Sequence, residues 1–180
     1  MIAIAAVSGG GKTTITSNLN EKLQNSKTLF FDDYDFDGPD DIIEWIDNGA
    51  EPDKWDLTPL IRDIKKLLME PLDYIILDFP FAYLHSKTRK FIDFAVFIDT
   101  PLDIAMARRI MRDFKNSSVT DILADMDNYI VGGRRGYLDM LKKTKPNSDL
   151  VVDGALPISD ILGIITQNIA KTEIPLGEKT

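Results

Sequence analysis

The chain has 180 residues, 44% hydrophobic and 28% charged, with a formal net charge of −8 and no cysteine. That length supports one well-buried core and is short for two, and the missing cysteine excludes disulfides and thiolate metal sites. The acidic balance argues against a nucleic-acid surface, which needs a basic stripe to neutralise phosphates, but a local basic pocket can still take a small anion.

The first apolar run, 2–7, passes straight into glycines and has no basic segment ahead of it, unlike a signal peptide. No run approaches the roughly 18 residues needed to span a bilayer, so the expectation is a cytoplasmic protein without a membrane partner. Further short apolar runs fall at 28–31, 74–77, 95–98 and 150–152. Each is nearly continuous rather than alternating, as expected of strands buried on both faces.

Amphipathic stretches lie between them. The segment 13–24 places Ile15, Leu19 and Leu23 on one helical face. A short helix is predicted over 41–46, and 58–69 carries a broad stripe of Leu60, Ile61, Ile64, Leu67 and Leu68. Helices follow over 104–114, over a long segment 119–141 that Gly132-Gly133 bends or divides, and over 158–169. The tail after Lys171, with Pro175 and Gly177, is expected to fray. Strands alternating with helices predict an α/β protein with a parallel sheet, in one domain over 1–171.

Between the first strand and the first helix stands Ala6-Val7-Ser8-Gly9-Gly10-Gly11-Lys12-Thr13-Thr14. Three consecutive glycines allow a sharp turn whose backbone N–H groups approach a phosphate unobstructed, and the helix aims its positive end at the same point. In such a P-loop Lys12 serves the β- and γ-phosphates and the Thr13 hydroxyl holds Mg²⁺. Nucleotide contacts are expected from Ser8 through Thr14. Ala6 stands where the strict pattern has glycine, which bars ready access to positive φ.

Ligands of open parallel sheets bind beyond the carboxyl ends of strands. There Asp32-Asp33-Tyr34-Asp35 follows the second run, Asp78 the third and Asp99 the fourth. Phosphoryl transfer needs a carboxylate to take the acceptor's proton and oxygen ligands for the metal, roles that suit Asp32 and Asp78 respectively. A turn and a helix cap are the alternatives for these two, and a cap is the expectation for Asp99. Arg108, Arg109 and Arg112 share one helix and suit migrating phosphoryl charge, unless they form a solvated face. Arg134-Arg135 is a weaker candidate. Phe79, Phe81 and Tyr83 follow a strand end and could line an acceptor pocket, as could Trp45 and Trp55, while the lone His85 needs no function.

In this order the features resemble the uridine kinase group of P-loop kinases, whose relatives include phosphoribulokinase and bacterial pantothenate kinase. The likeness runs from Ile2 to about Ile169. It rests on the strand and loop 4–14, on Phe31-Asp32-Asp33-Tyr34 and on Val96-Phe97-Ile98-Asp99-Thr100 leading into the arginine run. It also rests on Lys145-Pro146-Asn147-Ser148-Asp149 before the last strand. The resemblance implies a P-loop NTPase fold of three α/β/α layers, with five parallel strands in the order 2-3-1-4-5. It implies Asp32 as the base, the arginines as lid residues, and a small mobile lid around 113–118. Apart from the resemblance, Asp33, Tyr34, Phe79, Phe81, Tyr83 and His85 are the candidate substrate residues. The chain departs from the group in having Asp78-Phe79 for glutamate-glycine and Asp35 for a tyrosine. It also has a plain helix where an inserted nucleoside-reading hairpin lies between the equivalents of Leu57 and Tyr74.

The expected function is therefore transfer of the γ-phosphoryl group of ATP, with Mg²⁺, to a hydroxyl of a nucleoside-like or other small alcohol. The alternatives are a nucleotide-dependent regulator and an ATP binder without transfer. The expected partner is a small-molecule acceptor rather than nucleic acid, and a homo-oligomer is left open.

Overall fold

The structure, a computed structural model, describes residues 1–172. Its strands are β1 (Ile2–Ala5), β2 (Ser26–Phe30), β3 (Tyr74–Asp78), β4 (Phe94–Asp99) and β5 (Leu150–Asp153). The helices are α1 (Lys12–Lys22), α2 (Ile42–Asp47), α3 (Thr58–Leu67), α4 (Leu102–Asp113), α5 (Val119–Asn128), α6 (Arg134–Lys143) and α7 (Ile158–Lys171). All pairings between strands are parallel, in the order β2-β3-β1-β4-β5.

The pleat sorts the apolar runs between two cores. Met1, Ala3 and Ala5 join Leu77, Ala95 and Phe97 on one face, where α3 buries Leu60 and Ile64. Ile2, Ile4 and Ala6 join Ile76, Val96 and Ile98 on the other, where α1 buries Ile15 and Leu19 and α7 buries Ile161 and Ile165. Continuous hydrophobicity within each central strand follows from this, because both faces are covered.

Strand and helix ends differ by a few residues from the sequence pattern, and local chemistry gives the reason. Asn25 takes φ 51, the Ser26 hydroxyl donates to the Leu23 carbonyl at 2.7 Å, and β2 begins at once. The segment 119–141 is neither one plain helix nor two separated ones: α5 passes through a π-helical turn at Tyr129–Gly133 directly into α6. Gly132 is buried there because a Cβ would meet Ile43 of α2 at 2.6 Å, and Gly136 sits the same way against Ile46. These glycines let two helices approach. The expected frayed tail lies, beyond Thr172, outside the described residues. Among the described residues no helix is long and apolar enough to cross a membrane.

Candidate active site

Asp78, the last residue of β3, pairs in register with Ile4 of β1 and Phe30 of β2, so the sheet itself fixes its position. Its side chain is almost wholly buried, and both oxygens engage the start of α1: Oδ1 pairs with the Lys12 ammonium, and Oδ2 accepts the Thr13 hydroxyl at 2.7 Å. The residues read separately as phosphate lysine, metal hydroxyl and metal carboxylate are thus one cluster. A hydroxyl beside a carboxylate is a hard-oxygen donor pair of the kind that completes its shell with phosphate oxygens and water. Among the described residues no group of three or more His, Cys, Asp or Glu side chains gathers elsewhere to hold a metal.

The loop ahead of this cluster is held by close approach. Gly9 has φ 76, and a Cβ there would lie 2.0 Å from the Ala105 carbonyl oxygen of α4; Gly11, at φ 94, takes the left-handed turn that launches α1. Ala6 is not strained. Among the described residues the non-glycine positions with positive φ are Asn25, Ala50 and Ala82, and the Ala6 methyl lies buried over Gly10, where a Cβ would approach it to 2.8 Å. Thr100, which sequence reasoning passed over, donates its hydroxyl to the Gly10 carbonyl at 2.8 Å and packs against Gly154. It stands directly after a strand end, the position that draws attention in a parallel sheet. Ser8 is exposed at the crest of the loop, and Thr14 lines a recess on the loop's other side.

That recess, of about 210 Å³, is lined by Gly10, Gly11, Thr14, Ile15, Ile98, Arg108, Gly154, Leu156, Ile158 and Ile161. Arg108 donates to the Gly154 carbonyl at 3.2 Å at its rim. Arg109, the next residue, stands beside Gly9, is largely buried and forms a two-pronged pair with Asp125 of α5, which holds its guanidinium more firmly protonated than usual. Arg112 is exposed and grips its neighbour Asp113 through bonds of 2.6 and 3.0 Å; that pairing, with Asp32 among the further carboxylates acting on it, likewise raises its pKa. The three arginines therefore have three different settings. Arg135 is turned away to Asp47 of α2 at 2.5 Å, and Arg134 is exposed.

Asp32 is exposed in a 3₁₀ turn, Phe31–Asp33, two residues beyond the partner of Asp78. Because β3 intervenes, β2 is two strand spacings from β1, about 10 Å. Asp33 is exposed beside it. The Tyr34 hydroxyl donates to Asp63 of α3 at 3.2 Å, and burial and that carboxylate push its pKa up to about 12.

The aromatic residues divide. Phe79 is fully buried and Phe81 nearly so; both rings pack on Phe31, at 6.0 and 5.6 Å, and so brace the turn that carries Asp32 from beneath. Tyr83 is not brought to the P-loop. Its hydroxyl donates to Asp149 at 2.6 Å, and Asp149 also accepts the Ala95 N–H at the amino end of β4, the end of the sheet opposite the P-loop. His85, expected on the surface, is buried against Phe81, with Nε2 3.2 Å from the Trp55 carbonyl oxygen. Trp45 and Trp55 meet edge to face at 6.0 Å and close this cluster.

One further residue had no sequence signal. Tyr137 of α6 reaches the P-loop beside Ser8 and Arg109, and its burial holds the phenol pKa above its ordinary value against the lowering by Arg109. Its place in a long helix of mixed polarity says nothing of this, because the loop it meets is far away in the chain.

The chain is similar in sequence or in fold to several known kinases. A uridine kinase of Borreliella burgdorferi (strain ZS7) is 28% identical over 177 residues, covering 84% of this chain and 85% of that protein. A uridine kinase of Macrococcus caseolyticus (strain JCSC5402) is 26% identical over 94% of this chain and 95% of that one. Among solved structures, a gluconokinase from Sinorhizobium meliloti 1021 is similar at a TM-score of 0.55 and 16% identity, covering 96% of both chains. A putative fructose transport system kinase from Silicibacter sp. TM1040 is similar at a TM-score of 0.58 and 13% identity, covering 84% of this chain and 88% of that one. At such identity the structural likeness speaks for the fold alone. The sequence profile of the Phosphoribulokinase / Uridine kinase family matches residues 48–161, and with the P-loop, the strand order and the cluster at Asp78 this chain belongs to that family of phosphotransferases acting on hydroxyl groups.

Proposed function

We propose that the protein transfers the γ-phosphoryl group of ATP, bound with Mg²⁺, to a hydroxyl of a small alcohol. The observation that carries this is the meeting of Lys12, Thr13 and Asp78 at the mouth of a glycine loop. Thr13 and Asp78 hold the cation and Lys12 the terminal phosphates, while the recess beside Thr14 and Arg108 receives the nucleoside end. The acceptor oxygen bonds to phosphorus as its proton passes to Asp32, and the bond to the bridging oxygen of ADP breaks. Arg109 and Arg112 stabilise charge that peaks between donor and acceptor. The turn 113–118 with α5 acts as lid, and the whole of 1–171 works as one domain in the ATP-bearing cytoplasm.

Phe81, Asp33 and Tyr34 border the acceptor side of this cleft. Phe79 acts from beneath, and Tyr83 and His85 serve packing rather than binding.

An ATP-consumption screen over nucleosides, vitamins and sugars tests the activity and names the acceptor. With the acceptor known, Asp32→Asn should leave ATP affinity nearly unchanged and slow single-turnover transfer about 10²–10⁴-fold, the usual worth of a positioned base. An unchanged rate would remove Asp32 from the mechanism. ATP binding without transfer to any acceptor would leave only a nucleotide binder.

A further inference from the structure

Two polar atoms near the P-loop are shut away from solvent and make no hydrogen bond of normal geometry among the described residues: the Tyr137 hydroxyl, which has the Ser8 side chain beside it, and the Arg109 Nε. Unpaired buried polar atoms are rare because each forgoes its bonds to water. Here both converge on one spot, since Tyr137 interacts with Ser8 and with the Arg109 guanidinium. A Cβ at Gly9, next to Ser8, would lie 3.1 Å from the Arg109 side chain, so Tyr137, Arg109 and Ser8 meet at the loop.

The direction of a bound nucleotide says what meets this spot. The recess that takes the nucleoside end lies against Gly11 and Thr14, on the helix side of the loop. A phosphate chain running from there across Lys12 brings its last group toward Ser8 and away from the recess. A neutral phenol is a suitable donor to that group, because it adds a hydrogen bond to an anion without adding charge beside Arg109.

We propose that the Tyr137 hydroxyl binds the terminal phosphate of the nucleoside triphosphate, in concert with Ser8 and Arg109, and so lets the protein distinguish a triphosphate from a diphosphate. The proposal rests on the nucleotide reading above and needs no acceptor. It gives α6, the helix that also packs on α2, a direct contact with the group that is transferred.

The test compares wild type with Tyr137→Phe, measuring binding of the Mg²⁺ complexes of a non-hydrolysable ATP analogue and of ADP by calorimetry. The variant should bind the triphosphate analogue about 10-fold or more weakly, as expected for a lost hydrogen bond to a charged group, and ADP as wild type does. Thermal unfolding without nucleotide should be nearly unchanged, because the hydroxyl removed makes no hydrogen bond of normal geometry in that state. Equal binding of both nucleotides by variant and wild type would overturn the proposal, as would equal weakening of both. A wild-type protein that binds neither nucleotide would overturn the nucleotide reading itself, together with this inference.

Discussion

At Asp78 a single carboxylate, set by the register of three strands, serves two residues of the P-loop at once. Lys12 is its counter-charge as well as the proposed phosphate ligand. Removing the lysine leaves a nearly buried carboxylate without its cation, and leaves the terminal phosphates without theirs. Lys12→Ala should therefore abolish turnover and weaken ATP binding at least about 10-fold, and it should also lower the melting temperature of the nucleotide-free protein. Calorimetry and thermal unfolding check the two effects separately. Loss of activity with unchanged ATP affinity would take Lys12 out of the binding role. At the same scale Ala6 shows how a departure from a motif can be harmless: its backbone lies outside the positive-φ region, and its methyl fills space that Gly10 leaves open.

Helix α4 is the element on which the sequence was most suggestive and least specific. Three arginines within five residues were legible as a charged cluster, but the spacing could not say which of them face a ligand. The structure separates them by their partners: Arg108 at the recess rim, Arg109 locked to Asp125, and Arg112 on the side where Asp32 acts on it. Different kinetic signatures follow. Arg112→Ala should reduce kcat by about 10-fold or more with little change in ATP affinity, because it meets charge that develops during transfer. Arg108→Ala should instead act mainly on the KM for ATP. Steady-state kinetics over both substrates distinguish the two, and equal behaviour of both variants would contradict the assignment. The pair Gly132-Gly133 teaches a related lesson about elements. Glycines in a helical pattern read as a break, yet here the chain stays helical through a π turn, because Gly132 and Gly136 are where α2 presses its isoleucines against the long segment.

On the scale of the molecule, the net charge of −8 and the carboxylates clustered at Asp32, Asp33 and Asp35 set the field at the acceptor side of the cleft. These groups are exposed, so their effect is screened by salt, but an anionic acceptor would still meet like charge at short range. Among candidate acceptors, uncharged alcohols should be phosphorylated at least about 10-fold more efficiently than nucleoside monophosphates, as measured by kcat/KM at low ionic strength, and the difference should shrink as salt is added. A monophosphate preferred at every salt concentration would refute this.

The sequence by itself determined the features that rest on local chemistry and periodicity. Continuous apolar runs can be buried only between two helical layers, and a glycine loop between strand and helix makes an anion cradle wherever it occurs. The parallel fold, the P-loop and the acidic strand ends were legible for that reason. Contacts between residues far apart in the chain were decided by tertiary structure alone. Lys12 and Thr13 reach Asp78 only because β3 lies beside β1, Thr100 reaches Gly10 only across the β1–β4 pairing, and Tyr83 meets Asp149 at the end of the sheet opposite the P-loop. Tyr137 shows the limit most plainly. A tyrosine on a helix has the same local pattern whether its hydroxyl meets water or a phosphate loop, and only the tertiary structure chooses between them.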